Sequence, residues 1–196
     1  MENKKISGPA VFMYSTIMLT VAISAVCFVL YYGGIARHGA VLWTGIVTFM
    51  ILYHFGLRIF MGEITKLFKL DYNHPWYKQR KFEPHLYKLL RVRLWKDKVL
   101  TFDPQSFDFK NRTLHQLATT MAKSELDHWI NEIISLSSVL FCLLWGYGWL
   151  FLLTAVLAMV FDAQFIIVQR YNRPIVLKLK KMRENKSKKQ MIGEAL

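Results

Sequence analysis

The sequence predicts an all-α integral membrane protein with four transmembrane helices and a long cytoplasmic loop that carries interfacial amphipathic helices. Three observations carry that prediction. The 196 residues are 54% hydrophobic yet bear a formal net charge of +13. The apolar residues gather in three long charge-free runs, 6–36, 39–57 and 133–161. The Lys and Arg gather between and after those runs. In a membrane protein both features coexist, because apolar side chains face lipid while cations collect in cytoplasmic loops. The same pattern argues against nucleic acid as the partner of the charge, since a basic soluble domain would show a short-period core instead.

A spanning helix needs about 20 apolar residues. The first span is expected over 9–32, with Pro9 at its start and Gly33-Gly34 at its stop. The second is expected over 40–60, with Arg58 and Glu63 marking its exit. A loop over 61–125 follows, and the stretch 61–129 holds 13 Lys or Arg. His74-Pro75, Glu83-Pro84 and Asp103-Pro104 read as breaks between its elements. Leu86–Leu100 mixes leucines with five cations and reads as a basic amphipathic helix on the membrane surface. From Thr113 a helical face appears, with Leu114, Leu117, Met121 and Glu125 on one side.

The third charge-free run is 29 residues long, enough for one span or a tight hairpin. Topology chooses between them. The middle loop and the tail after Phe161 are both strongly basic and belong on one face, which requires two spans between them. Trp145-Gly146-Tyr147-Gly148-Trp149 supplies the turn. The third and fourth spans are therefore expected over 126–145 and 149–169, followed by a basic tail over 170–196. Both termini are then cytoplasmic. Cys27 and Cys142 sit inside apolar runs and read as buried, unpaired thiols.

The hairpin draws Asp127, His128 and Glu132 against the membrane, with Glu125 just outside. Ionisable residues there are costly and are functional candidates by default. Glu125 and His128 are three residues apart and share a helix face. A carboxylate that fixes the imidazole tautomer produces a general base able to take a proton from a hydroxyl. The competing account is a solvated helix start with Trp129 as a membrane anchor. His54, near the cytoplasmic end of the second span, reads as a second candidate or as a satisfied polar contact between helices. No spacing demands a metal among His54, Glu125 and His128. Gln169-Arg170-Tyr171-Asn172-Arg173-Pro174 offers planar donors suited to phosphate or carboxylate. The sequence has no Gly-rich phosphate loop and no G-x-S-x-G elbow. The residue four after His128 is Glu132, not the Asp of the common acyltransferase box.

Lys123-Ser124-Glu125-Leu126-Asp127-His128-Trp129 and Ile166-Ile167-Val168-Gln169-Arg170-Tyr171-Asn172-Arg173-Pro174 carry a resemblance. So does Arg93-Leu94-Trp95-Lys96-Asp97-Lys98 before them. Over roughly residues 82–177 the chain resembles the bacterial glycosyl-4,4'-diaponeurosporenoate acyltransferases of staphyloxanthin-type carotenoid synthesis. The resemblance implies a multi-pass protein of the bacterial cell membrane that moves a fatty acyl group onto a sugar hydroxyl of a glycolipid or glycosylated carotenoid at the inner leaflet. It implies His128 and Glu125 as the catalytic pair. It implies His54, Arg93, Lys96, Lys98, Gln169, Arg170, Asn172 and Arg173 on the substrate side. It implies no cofactor or metal, only an acyl donor such as acyl-CoA or an acyl carrier protein as co-substrate. The partners are then membrane lipids, donor and acceptor. The alternative is a non-catalytic membrane module that binds anionic lipid or a partner protein through its basic face.

Overall fold

Charge-free sequence becomes long helix throughout the computed structural model, which describes residues 8–99, 101 and 103–194. Helix α1 spans Gly8–Tyr32 and α2 spans Gly39–Thr65. Short helices α3 (Glu83–Leu89) and α4 (Val92–Trp95) follow, with 3-10 turns at Pro75–Tyr77, Lys96–Lys98 and Pro104–Phe107. Helix α5 runs over Leu114–Ser137 and tightens through a 3-10 turn into α6 (Cys142–Trp145). Helix α7 takes up Gly148–Glu194. There is no strand among the described residues. Four helical segments are long and apolar enough to cross a membrane: Gly8–Tyr32, Gly39–Thr65, Leu114–Trp145 and Gly148–Met191.

The helix ends follow local chemistry. After α1, Gly34 adopts a positive φ of 80°. Gly34 N–H donates to the Tyr31 carbonyl at 3.2 Å and Ile35 N–H to the Leu30 carbonyl at 3.0 Å, the paired bonds of a Schellman stop. At the start of α5, Thr113 and Gln116 cap each other: Gln116 N–H donates to Thr113 Oγ1 at 3.1 Å and Thr113 N–H to Gln116 Oε1 at 2.9 Å. This is a capping box, and it sets the helix start well before the 126 expected for the third span. Between α6 and α7, Gly146 and Tyr147 both have positive φ, 75° and 54°. The expected break in the third apolar run falls there.

Two segments differ from expectation. Leu86 to Val99 is not one amphipathic helix, and Leu100 lies outside the described residues. Arg91 is left-handed, with φ 50°, and separates α3 from α4. Trp95 Nε1–H donates to the Leu90 carbonyl at 2.9 Å, satisfying a carbonyl that the end of α3 leaves without a helical donor. The last helix does not end with the expected span at 169 either. Pro174 has no N–H to return to the Arg170 carbonyl, yet α7 continues to Glu194. Its next turns are held in place: Val176 is buried, and Lys180 Nζ donates to Tyr72 Oη at 2.8 Å. The ends 1–7 and 195–196, expected in the cytoplasm, lie outside the described residues.

The described chain forms two compact units. The first draws on 8–67 and Ile130–Met159. Its exterior is the reverse of a soluble protein's. In α1 the buried residues are Ala10, Thr20 and Ser24, while Phe12, Met18 and Val29 are exposed. Small residues let helices approach, and large apolar ones turn to lipid. Thr20 and Ser24 spend their hydroxyls on carbonyls of their own helix, as polar groups in an apolar helix must. Aromatic rings fill the interior: Phe28 stacks on Trp145, and Phe49 meets Phe141 edge-on. Trp145 Nε1–H donates to Tyr32 Oη at 3.0 Å, Tyr53 Oη lies 2.7 Å from Ser137 Oγ, and Arg58 Nη2 donates to Ser135 Oγ at 3.1 Å.

The second unit draws on Phe68–Val99, Asp103–Trp129 and 160–194. Its apolar core joins Tyr72, Tyr77, Leu117, Ala118, Met121, Ala122 and Val176, with Phe107, Leu114 and Leu177 packed against it. The α5 face seen in the sequence is the face that is buried.

Gly45 sets how closely α1 and α2 approach. A Cβ there would lie 2.9 Å from a Phe28 ring carbon and 3.1 Å from Cys27 Cβ. Gly45→Leu should therefore destabilise the first unit by about 1–3 kcal/mol through overpacking. Thermal unfolding in detergent tests this: a clear fall in midpoint is expected, and an unchanged midpoint would contradict the packing.

Candidate active site

Helix α7 presents one polar stripe inward. Asp162, Ile166, Gln169, Arg173 and Val176 recur at intervals of three and four, the helical repeat, and all are buried. Helix α5 answers with Leu117, Ala118, Met121, Ala122 and then Glu125, also buried. Two ionic features result, both within the second unit.

The first is a cluster of two arginines and two carboxylates. Arg170 Nε and Nη2 donate to Glu83 Oε1 at 2.9 and 2.5 Å. Its Nη1 donates to Glu125 Oε1 at 2.5 Å and to the Trp76 carbonyl at 3.1 Å. A second Nη2 hydrogen goes to the Lys78 carbonyl at 3.1 Å. A guanidinium has five N–H donors, so every one is used. Arg173 is 1% exposed. Its Nη2 donates to the Tyr77 carbonyl at 2.7 Å and lies 2.6 Å from Glu125 Oε2. Its guanidinium also sits 5.0 Å from the Tyr77 ring centroid, a cation–π contact. Tyr87 Oη–H donates to Glu83 Oε2 at 2.8 Å. Burial, and then that bond, push the Tyr87 hydroxyl well above the ordinary tyrosine range. Burial, followed by the field of Glu125, raises Tyr77 in the same way.

The second feature is a dyad. His128 Nδ1 lies 2.8 Å from Asp162 Oδ1. When the carboxylate is ionised it only accepts; Nδ1 then carries the hydrogen and Nε2 is left as the basic nitrogen. Phe165 stacks on the imidazole at 4.4 Å with the rings 5° from parallel. Asp162 is almost wholly buried, whereas the His128 side chain keeps 19% of its surface exposed. This arrangement fixes the ring and leaves part of the imidazole exposed, features that suit a general base.

The sequence-derived candidates separate accordingly. The carboxylate on His128 is Asp162, not Glu125. Sharing a helix face does not decide the pairing, because two guanidiniums outcompete an imidazole for a buried carboxylate. Arg170 is fully committed to protein groups. Gln169 is buried on the inner stripe of α7, and Asn172 is half-buried. Arg93 and Lys98 are exposed, and Lys96 pairs with exposed Asp97 at 2.6 Å. His54 belongs to the first unit, where its ring meets Tyr53 edge-on at 5.7 Å. Asp162, Glu83, Tyr77 and Tyr87 were not among the expected site residues. Asp162 had a signal: it falls seven residues before Gln169 and eleven before Arg173, on the same stripe.

Removing one charge from the cluster should be costly. Glu125→Gln leaves two buried guanidiniums against one carboxylate, and a loss of about 3–5 kcal/mol is expected. Tyr87→Phe should cost about 1–2 kcal/mol. Because the Tyr87 pKa is raised on folding, its contribution is complete below about pH 10 and is lost as pH rises beyond it. Tyr87→Phe should therefore flatten alkaline unfolding. Chemical denaturation in detergent measures both, and a silent Glu125→Gln would contradict the cluster's role.

The comparison with known proteins meets this geometry. No curated protein and no solved structure matches the chain. The family model described as glycosyl-4,4'-diaponeurosporenoate acyltransferase matches residues 73–184. That interval covers more than half of the chain and takes in Tyr77, Glu83, Tyr87, Glu125, His128, Asp162, Arg170 and Arg173. The chain belongs to the glycosyl-4,4'-diaponeurosporenoate acyltransferase family.

Proposed function

We propose that this membrane acyltransferase moves a fatty acyl group from an activated donor to a sugar hydroxyl of a glycolipid or glycosylated carotenoid, with His128 as general base. The observation that carries this reading is the bond between His128 Nδ1 and Asp162. His128 Nε2 takes the hydroxyl proton as the oxygen attacks the acyl carbonyl carbon. The tetrahedral intermediate then expels the donor's thiolate, which recovers the proton from the imidazolium. Asp162 holds the ring and stabilises the imidazolium between the two steps.

The donor is acyl-CoA or an acyl carrier protein. Exposed Arg93 and Lys98 supply positive charge for its phosphate. The Glu83–Glu125–Arg170–Arg173 cluster scaffolds the dyad and is not assigned to substrate. The basic loop and tail support a site at the inner leaflet of a bacterial cell membrane, with both termini cytoplasmic.

The test is acyl transfer by purified variants. His128→Ala should lose about 10²–10⁴-fold in rate. Asp162→Asn should lose a comparable factor while keeping a near-parental unfolding midpoint. If His128→Ala protein transfers acyl groups as fast as the parent, the base assignment is wrong.

A further inference from the structure

The cluster fixes more than three helices. It also holds a turn. The carbonyls of Trp76, Tyr77 and Lys78 are three in succession, and each accepts from Arg170 or Arg173. The Trp76 N–H is held as well, by His74 Nδ1 at 3.3 Å. Burying two guanidiniums and two carboxylates is expensive, and here much of their hydrogen bonding goes to one short backbone segment. The consequence is visible in its side chains. Tyr77 turns into the core, while Trp76 stays 45% exposed. The Trp76 ring meets Trp129 edge-on, with centroids 6.0 Å apart at 70°. Trp129 is itself 39% exposed and directly follows His128.

A tryptophan that only anchors a protein at a membrane interface tolerates loose placement. This one is fixed at both its N–H and its carbonyl. We propose that Trp76 and Trp129 form a rigid apolar wall that receives the acyl chain of the donor, making both specificity-determining residues. Arg170 and Arg173 are then positioning residues, acting through the Trp76–Lys78 turn.

The choice of the acyl chain over the acceptor's apolar part follows from the reaction. The hydroxyl that His128 deprotonates is on a sugar, so a polar ring separates it from the acceptor's hydrocarbon. The donor's hydrocarbon begins at the carbonyl carbon under attack. Trp129 directly follows the base on α5 and projects about 100° round the helix from it, so the chain passes Phe165, stacked on His128, and reaches the tryptophan wall beyond. A ring pair also suits it physically, since aromatic faces offer large contact area with little side-chain freedom to lose.

This inference rests on His128 being the base, and the experiment separates the two claims. Initial rates are compared for a palmitoyl and a butyryl donor. Trp76→Ala should lower kcat/KM for the palmitoyl donor by about tenfold to a hundredfold. For the butyryl donor it should stay within about threefold. Trp76→Phe, which keeps a ring, should restore most of the palmitoyl rate, and Trp129→Leu should show the same bias as Trp76→Ala. An equal loss with both donors would overturn the proposal. His128→Ala should instead reduce both donors equally, so its failure reports on the base and not on the wall. A second readout needs no turnover. A palmitoyl donor analogue with a photoreactive group near the carbonyl should label the peptides bearing Trp76 or Trp129, in parental and His128→Ala protein alike. Labelling confined to other peptides would overturn the proposal even if every tryptophan variant proved unstable.

Discussion

Four charged side chains, Glu83, Glu125, Arg170 and Arg173, hold the second unit together. They come from α3, α5 and α7, and each is wholly or largely removed from solvent. Charges taken out of water are tolerable only when opposite charges and well-placed hydrogen bonds replace the lost hydration. Arg170 meets that condition with all five donors. The resulting geometry has little freedom, because moving any one member strands another. Three helices and the Trp76–Lys78 turn are therefore set by one constraint, and the spacing between α5 and α7 is set with them.

That spacing matters one turn further along. His128 follows Glu125 by three residues on α5, and Asp162 precedes Ile166 and Gln169 on the inner stripe of α7. Once the cluster fixes the register of the two helices, the imidazole and the carboxylate meet at hydrogen-bond distance. The motif around Glu125 and His128 thus divides: the carboxylate is a framework charge held by two arginines, and the histidine is held by Asp162. The arginines of the second motif are framework charges too. Family membership supplies the reaction class, and the dyad supplies a group able to activate a hydroxyl.

Much of the fold was legible in the sequence for simple reasons. Charge-free length revealed the apolar helices, and the balance of Lys and Arg on either side of the third run demanded its division near Gly146. The buried face of α5 was visible as Leu114, Leu117, Met121 and Glu125. What escaped detection was tertiary. Asp162 pairs with a residue 34 positions away, and local spacing favoured the nearer carboxylate. Glu83 was hidden because the Glu83-Pro84 pair signals a break, which it also is. The left-handed Arg91 depends on an indole bond from Trp95, a contact no periodicity reports. The continuation of α7 beyond Pro174 depends on burial of Val176 and the Lys180–Tyr72 bond, which outweigh one missing helical hydrogen bond.

The most direct test of this division of labour is a pair of double-mutant cycles built on His128→Ala, read in acyl-transfer rate and in unfolding free energy. Residues that act as one catalytic unit are non-additive, whereas independent ones add. The account predicts that Asp162→Asn costs nothing further in rate once His128 is gone. It also predicts that Glu125→Gln lowers stability by the same amount with or without His128. The contradicting result is Asp162→Asn still lowering the rate additively without His128, with a Glu125→Gln stability loss that disappears when His128 is absent.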